Sequence, residues 1–309
     1  MRNKVLIGPS TFAALDSSPA EKLIDAGFEV VNNPFGRKFT VNELINLLPG
    51  VTGLIAGLED LNREVMEGSD LQIISRCGSG MSNVDLKAAE SLGIKVCSTP
   101  DGPTTSVAEL TIGLLLSMLR LVYKMNMSMH HRKWDKQIGT QLNGKVVAIV
   151  GFGLIGRTVC RLLKAFEADV VAVDPSFSGV VDGTQIMSLE DALKKADIVI
   201  LHCSDDSILL GEDEFKLMKK GVYLLNVARG NLIDETSLIH ALEGGHVAGA
   251  CLDSFAEEPY NGPLCDYEQV ILTPHVGSYT SECRLMMEME AVNNLIEAFE
   301  QINYSKLTI

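Results

Sequence analysis

Short apolar runs alternate with amphipathic helical segments along nearly all of the 309 residues. Such alternation predicts parallel sheets, because two parallel strands must be joined by a crossover that is usually a helix. The runs fall into two series, which indicates two α/β domains, each built on a doubly wound parallel sheet. The predicted strands are 4–7, 29–31, 53–56, 71–74 and 94–96 in the first series, and 146–150, 170–173, 198–201, 223–225, 250–252 and 270–272 in the second.

The pattern breaks between Thr99 and Thr105, where two prolines and a glycine fall close together. We therefore expect the first domain to end near residue 100. Helical periodicity predicts helices at 41–48 and 83–92, one long helix from about 105 to 128, and a last helix from 281 to about 302.

Composition excludes several functional classes. A net charge of −14 disfavours nucleic acid and anionic membranes as partners, because both select a basic surface. The chain opens on Met1-Arg-Asn-Lys and enters a strand at once, so no secretory signal is expected. Seven scattered cysteines without a C-x-x-C pair are typical of reduced thiols in a cytoplasmic protein, and no metal site is expected.

A glycine motif follows the predicted strand 146–150. Its residues are Gly151, Gly153 and Gly156, a helical pattern continues from Arg157, and Asp174 ends the next strand 18 residues after Gly156. The spacing alone is a weak signal and fits an ordinary tight turn, but this strand–turn–helix context is typical of a dinucleotide site. Helix-start N–H groups would bind the pyrophosphate, and Asp174 would accept the ribose hydroxyls and repel a 2′-phosphate. NAD is therefore predicted over NADP.

Three further motifs begin at the ends of predicted strands, where α/β sheets bind ligands. They carry Arg229, the acids Asp253 and Glu258, and His275. Arginine binds a carboxylate through two parallel hydrogen bonds, and a histidine beside a carboxylate is suited to proton transfer. Arg229 could instead form a structural ion pair, and Asp253 could cap a turn. With a nucleotide fold, the set predicts hydride transfer to or from a 2-hydroxy or 2-keto acid.

With these motifs the chain resembles the D-isomer-specific 2-hydroxyacid dehydrogenases, and in particular their phosphoglycerate dehydrogenase-like branch. The segments 76–85 and 106–110 carry the same resemblance. It implies a Rossmann NAD-binding domain at 101–280 and a flavodoxin-like substrate domain at 1–100 and 281–309. The active site is then expected in the cleft between them. The resemblance also implies that the long helix forms a homodimer and that the last helix returns to the first domain.

The resemblance assigns roles to individual residues. His275 exchanges the hydroxyl proton, Glu258 stabilises its protonated form, and Arg229 binds the substrate carboxylate and polarises the C2 oxygen. Asp253 holds the nicotinamide carboxamide. Other positions implied to contact the cofactor are Leu154, Ile155, His202, Val227, Ala228 and Gly277, and those implied to contact the substrate are Gly78, Ser79 and Gly80.

Three departures from the family pattern leave the substrate open. Gly57-Leu58-Glu59 stands where phosphoglycerate enzymes carry a phosphate-binding Arg-Ser pair, which favours an unphosphorylated acid such as hydroxypyruvate or glyoxylate. Whole-chain resemblance slightly favours 3-phosphoglycerate. Pro103 replaces a frequent asparagine, and the segment after His202 is about three residues short. An NAD-sensing corepressor would keep the same triad, whereas Glu258 argues against a formate dehydrogenase.

Overall fold

A computed structural model describes residues 3–78, 80–81, 83–100, 102–204 and 207–307. By its internal contacts the chain divides into two compact units, Met1–Pro103 with Ser278–Ile309, and Thr104–Gly277. Both units are α/β structures with mainly parallel sheets, so the predicted fold class is confirmed.

The first unit holds a five-stranded, fully parallel sheet in the order β2-β1-β3-β4-β5. This is the flavodoxin-like order. Its strands are β1 (Lys4–Ile7), β2 (Glu29–Val31), β3 (Gly53–Ala56), β4 (Ile73–Arg76) and β5 (Lys95–Ser98). Its helices are α1 (Ser18–Asp25), α2 (Val41–Leu47), α3 (Arg63–Met66), α4 (Leu86–Ser91) and, from the end of the chain, α11 (Ser281–Leu307).

Alternate strand residues pack on opposite faces of this first sheet. Leu6, Leu54 and Ile74 join the helices α2 to α4 in one core, whereas Val5, Ile55 and Ile73 join α1 and α11 in the other. The last helix therefore packs on the first sheet, and Ser75 Oγ donates to the Ala291 carbonyl at 2.7 Å.

The second unit holds an eight-stranded sheet in the order β13-β12-β11-β10-β6-β7-β9-β8. The strands are β6 (Val146–Val150), β7 (Asp169–Val173), β8 (Val180–Val181), β9 (Thr184–Ile186), β10 (Ile198–Leu201), β11 (Val222–Asn226), β12 (Val247–Leu252) and β13 (Val270–Leu272). The helices are α5 (Pro103–Leu119), α6 (Val122–His130), α7 (Leu154–Ala165), α8 (Leu189–Lys195), α9 (Glu212–Leu217) and α10 (Glu235–Glu243), with short 3-10 helices at Gly230–Leu232 and Pro263–Asp266.

The order in which successive strands are added to this second sheet reverses between β6 and β10. Starting at β6, the sheet grows through β7 and β9 on one side and through β10 to β13 on the other, which is the Rossmann pattern. All pairs are parallel except the β8–β9 hairpin, which the apolar pattern did not predict. Dinucleotides bind at such a switch point, outside the carboxyl ends of the strands.

The prediction of one helix over 105–128 was wrong. The structure has two helices, α5 and α6, bent by 69°. Leu121 between them is left-handed with φ 53°, and the Leu119 carbonyl accepts a hydrogen bond from the Thr140 amide at 2.8 Å. The Thr140 amide therefore takes the place of a helical N–H at the Leu119 carbonyl, where α5 ends. Pro103 opens α5, where a missing N–H costs nothing.

Within the described part of the chain, no single helix is both long enough and apolar enough to cross a bilayer. Only α5 and α6 taken together reach that length and composition.

Candidate active site

The glycine motif forms the turn between β6 and α7. Gly151 has φ 98°, and a Cβ there would lie 2.5 Å from the His202 carbonyl carbon and the Cys203 nitrogen. A Cβ at Gly156 would lie 2.1 Å from the Gly151 carbonyl oxygen. Both positions therefore require glycine, whereas Gly153 has open space around it and caps the start of α7. The result is a bare backbone turn ahead of the amino end of a 12-residue helix.

Asp174 follows β7 and reaches back to this turn. One carboxylate oxygen accepts from the Phe152 amide at 2.8 Å, and the other accepts from the Ser176 amide at 2.9 Å. Each oxygen keeps one further acceptor position, because a carboxylate oxygen has two lone pairs. The carboxylate borders a cavity of about 460 Å³ that is also lined by Val173, Pro175, Phe177 and Ile186.

His202 ends β10 beside the glycine turn. Its Nε2 atom is buried and makes no hydrogen bond within the described residues. Desolvation lowers the pKa of His202 to about 4, so the ring is neutral at physiological pH. A buried ring nitrogen without a partner leaves a polar group to be satisfied by a ligand or water. Residues 205 and 206, in the shortened segment after His202, lie outside the described residues.

The turn after β11 presents Arg229. Asn226 holds this turn, since its Nδ2 donates to the Arg229 carbonyl at 2.8 Å and its Oδ1 accepts from the Ala228 amide at 3.1 Å. The guanidinium donates to the Ala228 carbonyl at 2.8 Å, its single hydrogen bond within the described residues. Arg229 forms no ion pair with a described acid, so its charge is available for an anionic ligand.

His275 follows β13 and pairs with Glu258. The Nδ1 atom of His275 lies 3.0 Å and 2.9 Å from the two carboxylate oxygens of Glu258. A carboxylate only accepts, so Nδ1 carries the proton and Nε2 is left for another group. Glu258 is itself held by the Phe255 amide, which donates to Oε1 at 3.1 Å. The pair is thus oriented, and both side chains keep about a third of their surface exposed, 38% and 32%.

His275 adopts a left-handed backbone conformation with φ 53°. For a residue other than glycine this costs on the order of 1–3 kcal/mol, and it persists only where the surroundings impose it. Such strain is concentrated at functional sites.

Asp253 follows β12, between Arg229 and His275 in the order of strand ends. It is 1% exposed. Oδ1 accepts from Thr273 Oγ1 at 2.6 Å and from the Val276 amide at 2.9 Å, and Oδ2 accepts from the Gly277 amide at 2.9 Å. A structural role for Asp253 is therefore directly visible in its contacts.

Arg229, Asp253, Glu258 and His275 were predicted at the ends of strands, and the structure puts the first, second and fourth after the adjacent strands β11, β12 and β13. The supporting residues Asn226 and Thr273 were not predicted, because their contacts depend on turn geometry. Ser106 is a further supporting residue that was not predicted. Its Oγ donates to the Gly277 carbonyl at 2.7 Å.

In the first unit, the segment expected to bind the substrate carboxylate follows β4. The Gly78 amide donates to Thr99 Oγ1 at 2.7 Å, so that donor is already engaged. Gly80 is half-buried, and Ser79 lies outside the described residues.

In the loop after β3, the acid Glu59 turns inward and Asp60 faces solvent. Glu59 is 1% exposed and accepts from the Gly57 amide at 2.5 Å, and burial raises the pKa of its carboxyl group. A Cβ at Gly57 would lie 3.0 Å from Glu59 Oε1. Asp60 is exposed and lies 3.6 Å from Lys38 Nζ. No cluster of metal-ligand side chains is found in the part of the chain that the structure describes.

Comparison with known proteins gives the same family as the motifs. Residues 112–277 match the model of the D-isomer specific 2-hydroxyacid dehydrogenase NAD-binding domain. D-3-phosphoglycerate dehydrogenase from Sus scrofa is 38% identical over 292 residues, which cover 91% of this chain and 54% of the relative. This chain thus spans about half the length of that curated relative.

Solved structures resemble the chain over almost its full length. The TT0316 protein from Thermus thermophilus has a TM-score of 0.89 at 33% identity, covering 96% of this chain and 97% of its own. A glyoxylate reductase from Paecilomyes thermophila has a TM-score of 0.85 at 28% identity, covering 97% and 96%. The chain belongs to the D-isomer specific 2-hydroxyacid dehydrogenase family, as its motifs indicate.

Proposed function

We propose that this chain is an NAD-dependent D-2-hydroxyacid dehydrogenase that transfers a hydride between NAD(H) and C2 of a small 2-hydroxy or 2-keto acid. The hydrogen-bonded pair of His275 and Glu258, after a strand of the NAD-binding unit, carries the proposal. An NAD-sensing corepressor would keep the same residues, so activity is what separates the two functions. Following NADH oxidation over a panel of 2-keto acids tests the proposal, and no turnover of any of them would favour the corepressor.

The second unit fits a dinucleotide on two observations of its own. A Cβ would fill the turn at Gly151 and Gly156, and the His202 Nε2 atom is buried without a partner within the described residues. Gly153, Leu154 and Ile155 would face the pyrophosphate, and Asp174 the ribose. Val227, Ala228, Asp253 and Gly277 are proposed to line the nicotinamide side. When bound, NADH supplies the hydride that reaches C2 of the substrate.

We assign substrate binding and proton transfer to residues of the chain itself. Arg229 binds the substrate carboxylate and polarises the C2 oxygen, where negative charge develops. His275 delivers a proton to that oxygen in reduction and removes it in oxidation. Glu258 stabilises the imidazolium form by its opposite charge. The segment containing Gly78, Ser79 and Gly80 is proposed to contact the same carboxylate, with Ser79 and Gly80 as donors because the Gly78 amide is engaged.

Asp174 should select NAD(H) over NADP(H). A 2′-phosphate would lie beside its carboxylate and lose the ribose hydrogen bonds, so we expect at least about a tenfold preference in kcat/KM, roughly 1.4 kcal/mol. Asp174→Asn should narrow this preference when both cofactors are titrated. The matched control is Asp182→Asn, which removes an exposed acid of the same unit and should leave the ratio unchanged. Equal rates with both cofactors in the wild-type protein would refute the assignment.

Glu59 favours an unphosphorylated substrate such as hydroxypyruvate or glyoxylate over 3-phosphohydroxypyruvate. Its buried carboxylate lies at the carboxyl edge of the first sheet and occupies the space beside Gly57. A phosphate brought near the ionised form of this carboxyl group would be repelled. The opposite outcome, oxidation of 3-phosphoglycerate, would match the curated relative.

We expect kcat/KM for hydroxypyruvate to exceed that for 3-phosphohydroxypyruvate at low and high salt. Leu58 is 46% exposed in the same loop, so Leu58→Arg should raise kcat/KM for the phosphorylated acid about tenfold at low salt, and salt should erode the gain. The control is Leu92→Arg, because Leu92 precedes β5 at the amino ends of the strands. This control should leave kcat/KM unchanged for both acids. A wild-type preference for the phosphorylated acid that salt erodes would contradict the proposal.

We propose that the protein is a homodimer and that it works in the cytoplasm. The segment from α6 to residue 138 exposes large apolar side chains, among them Met127, Met129, Trp134 at 76% and Ile138 at 98%. Apolar surface of this kind favours a second copy of the chain as its partner. Cys77, Cys160 and Cys251 are buried free thiols, as expected in a reducing compartment.

A further inference from the structure

We infer that Asp253 acts as a positioning residue for His275, fixing the left-handed backbone that aims the imidazole. The inference rests on the proposed function for the identity of His275 as the proton carrier. It goes beyond that function by giving Asp253 a role that does not pass through the cofactor.

The contacts of Asp253 converge on the loop that carries His275. Its three hydrogen bonds reach Thr273 Oγ1, two residues before His275, and the amides of Val276 and Gly277 directly after it. The loop is therefore held on both sides of the residue with φ 53°. Within the loop, the His275 amide donates to the Thr273 carbonyl at 2.9 Å.

Two further contacts make the position of the loop definite. Ser106 Oγ donates to the Gly277 carbonyl, so the backbone N–H and C=O of Gly277 are both engaged. A Cβ at Gly277 would lie 3.2 Å from Asp253 Oδ2 and 3.1 Å from a methyl group of Val107, which leaves little room for the loop to shift. The imidazole is then oriented at its other end by Glu258.

Asp253 has little capacity left for a ligand. It is 1% exposed, and a carboxylate with four acceptor positions already accepts three hydrogen bonds. One position on Oδ2 remains for a nicotinamide carboxamide. Loss of the carboxylate should therefore disturb the proton carrier more than cofactor binding.

The test variant is Asp253→Asn, whose amide nitrogen cannot accept from the Gly277 amide. We expect kcat to fall about thirtyfold or more, since small misplacements of a catalytic group are costly, while KM for NADH stays within about threefold. Thr273→Val removes one of the three bonds and should lower kcat severalfold in the same direction. It also keeps the test open if Asp253→Asn does not fold.

An altered cofactor separates positioning from cofactor binding. The 3-acetylpyridine analogue of NADH lacks the carboxamide N–H donors, so an effect exerted through the carboxamide should vanish with it. Positioning predicts the same fold-loss for Asp253→Asn with either cofactor. A defect confined to KM for NADH, or one absent with the analogue, would overturn the inference.

The position of His275 can also be tested by a measurement that does not depend on enzymatic activity. NMR of isotope-labelled histidine in the cofactor-free protein should show a protected Nδ1 proton for His275 that broadens or is lost in Asp253→Asn. The control is Asp197→Asn. Asp197 also accepts a hydrogen bond from a backbone amide, that of Val146, but it precedes β10 and so lies at the amino ends of the strands, away from His275. The control should preserve both kcat and the His275 signal, and a matching loss of either would sink the inference. If the wild-type protein reduces no 2-keto acid, the proposed function fails while the NMR comparison still tests the positioning.

Discussion

Replacing His275 should lower kcat at least about a hundredfold, the usual scale for loss of a general acid or base. Its Nδ1 proton is held by Glu258, which leaves Nε2 to exchange a proton with the substrate. Steady-state rates of keto-acid reduction measure the effect. Because His275 has φ 53°, His275→Asn should accompany His275→Ala, since asparagine tolerates this conformation best among such replacements.

Equal losses in the two variants would show that the missing imidazole, and not a disturbed backbone, is responsible. His240, exposed on α10, provides the control, and His240→Ala should keep the wild-type rate. Near-wild-type turnover in His275→Asn would remove this residue from the proton path.

Glu258→Gln should act through the same pair in a graded way. Its amide oxygen can still accept from the Phe255 amide, so the local fold should survive. The carboxylate attracts the positively charged ring that donates the proton, whereas the neutral amide does not. The kcat for reduction should therefore fall, but less than in His275→Asn, while KM for NADH stays unchanged. A wild-type kcat in Glu258→Gln would mean that the charge of Glu258 adds nothing to proton transfer.

Arg229→Lys should lower kcat/KM for the keto acid about a hundredfold, roughly 2.7 kcal/mol, with KM for NADH within about threefold. Lysine keeps the charge but loses the planar, two-pronged donor set that matches a carboxylate. The guanidinium is engaged with the Ala228 carbonyl and with no described acid, so its remaining donors face no competing anion among the described residues.

Arg161, exposed on α7, gives the matched control, and Arg161→Lys should change neither parameter. A variant at Arg229 that is impaired only in NADH binding would move this residue from the substrate to the cofactor.

The strands were predictable where apolar runs are uninterrupted. Six predicted strands, including 4–7, 146–150 and 198–201, have the observed limits. Two others lie later than predicted, Ile73–Arg76 and Lys95–Ser98, because pairing with neighbouring strands continues into polar residues. The β8–β9 hairpin was not predictable from apolar runs, because its strands have only two and three residues around a tight turn.

Local backbone geometry was the main gap in the sequence-based prediction. No proline or glycine marks the break at Leu121, where a bond from the distant Thr140 ends α5. For Glu59, the sequence showed an acid in a loop, but only the structure shows that it turns inward against Gly57. Long-range hydrogen bonding ends α5, and burial fixes the position of Glu59. The periodicity of apolar residues predicts neither feature.

The proposed catalytic and substrate-binding residues were easier to predict from the sequence than the residues that position them. Arg229, Glu258 and His275 carry functional groups whose types already suggest a carboxylate grip and a proton relay. The left-handed φ of His275 and the three bonds of Asp253 that surround it depend on how β12 and β13 lie side by side. The domain limits at 100 and 281, and the placement of the site between the domains, stay predictions.

The most direct measurement is hydride transfer itself. Each 2-keto acid of the panel should be incubated with NADH deuterated at the transferring position, and the product analysed for label and for handedness. We expect at least one small keto acid to yield the D-2-hydroxy acid with deuterium at C2, and His275→Asn to abolish this transfer. Absence of label at C2 with every acid, or an L-product, would contradict it.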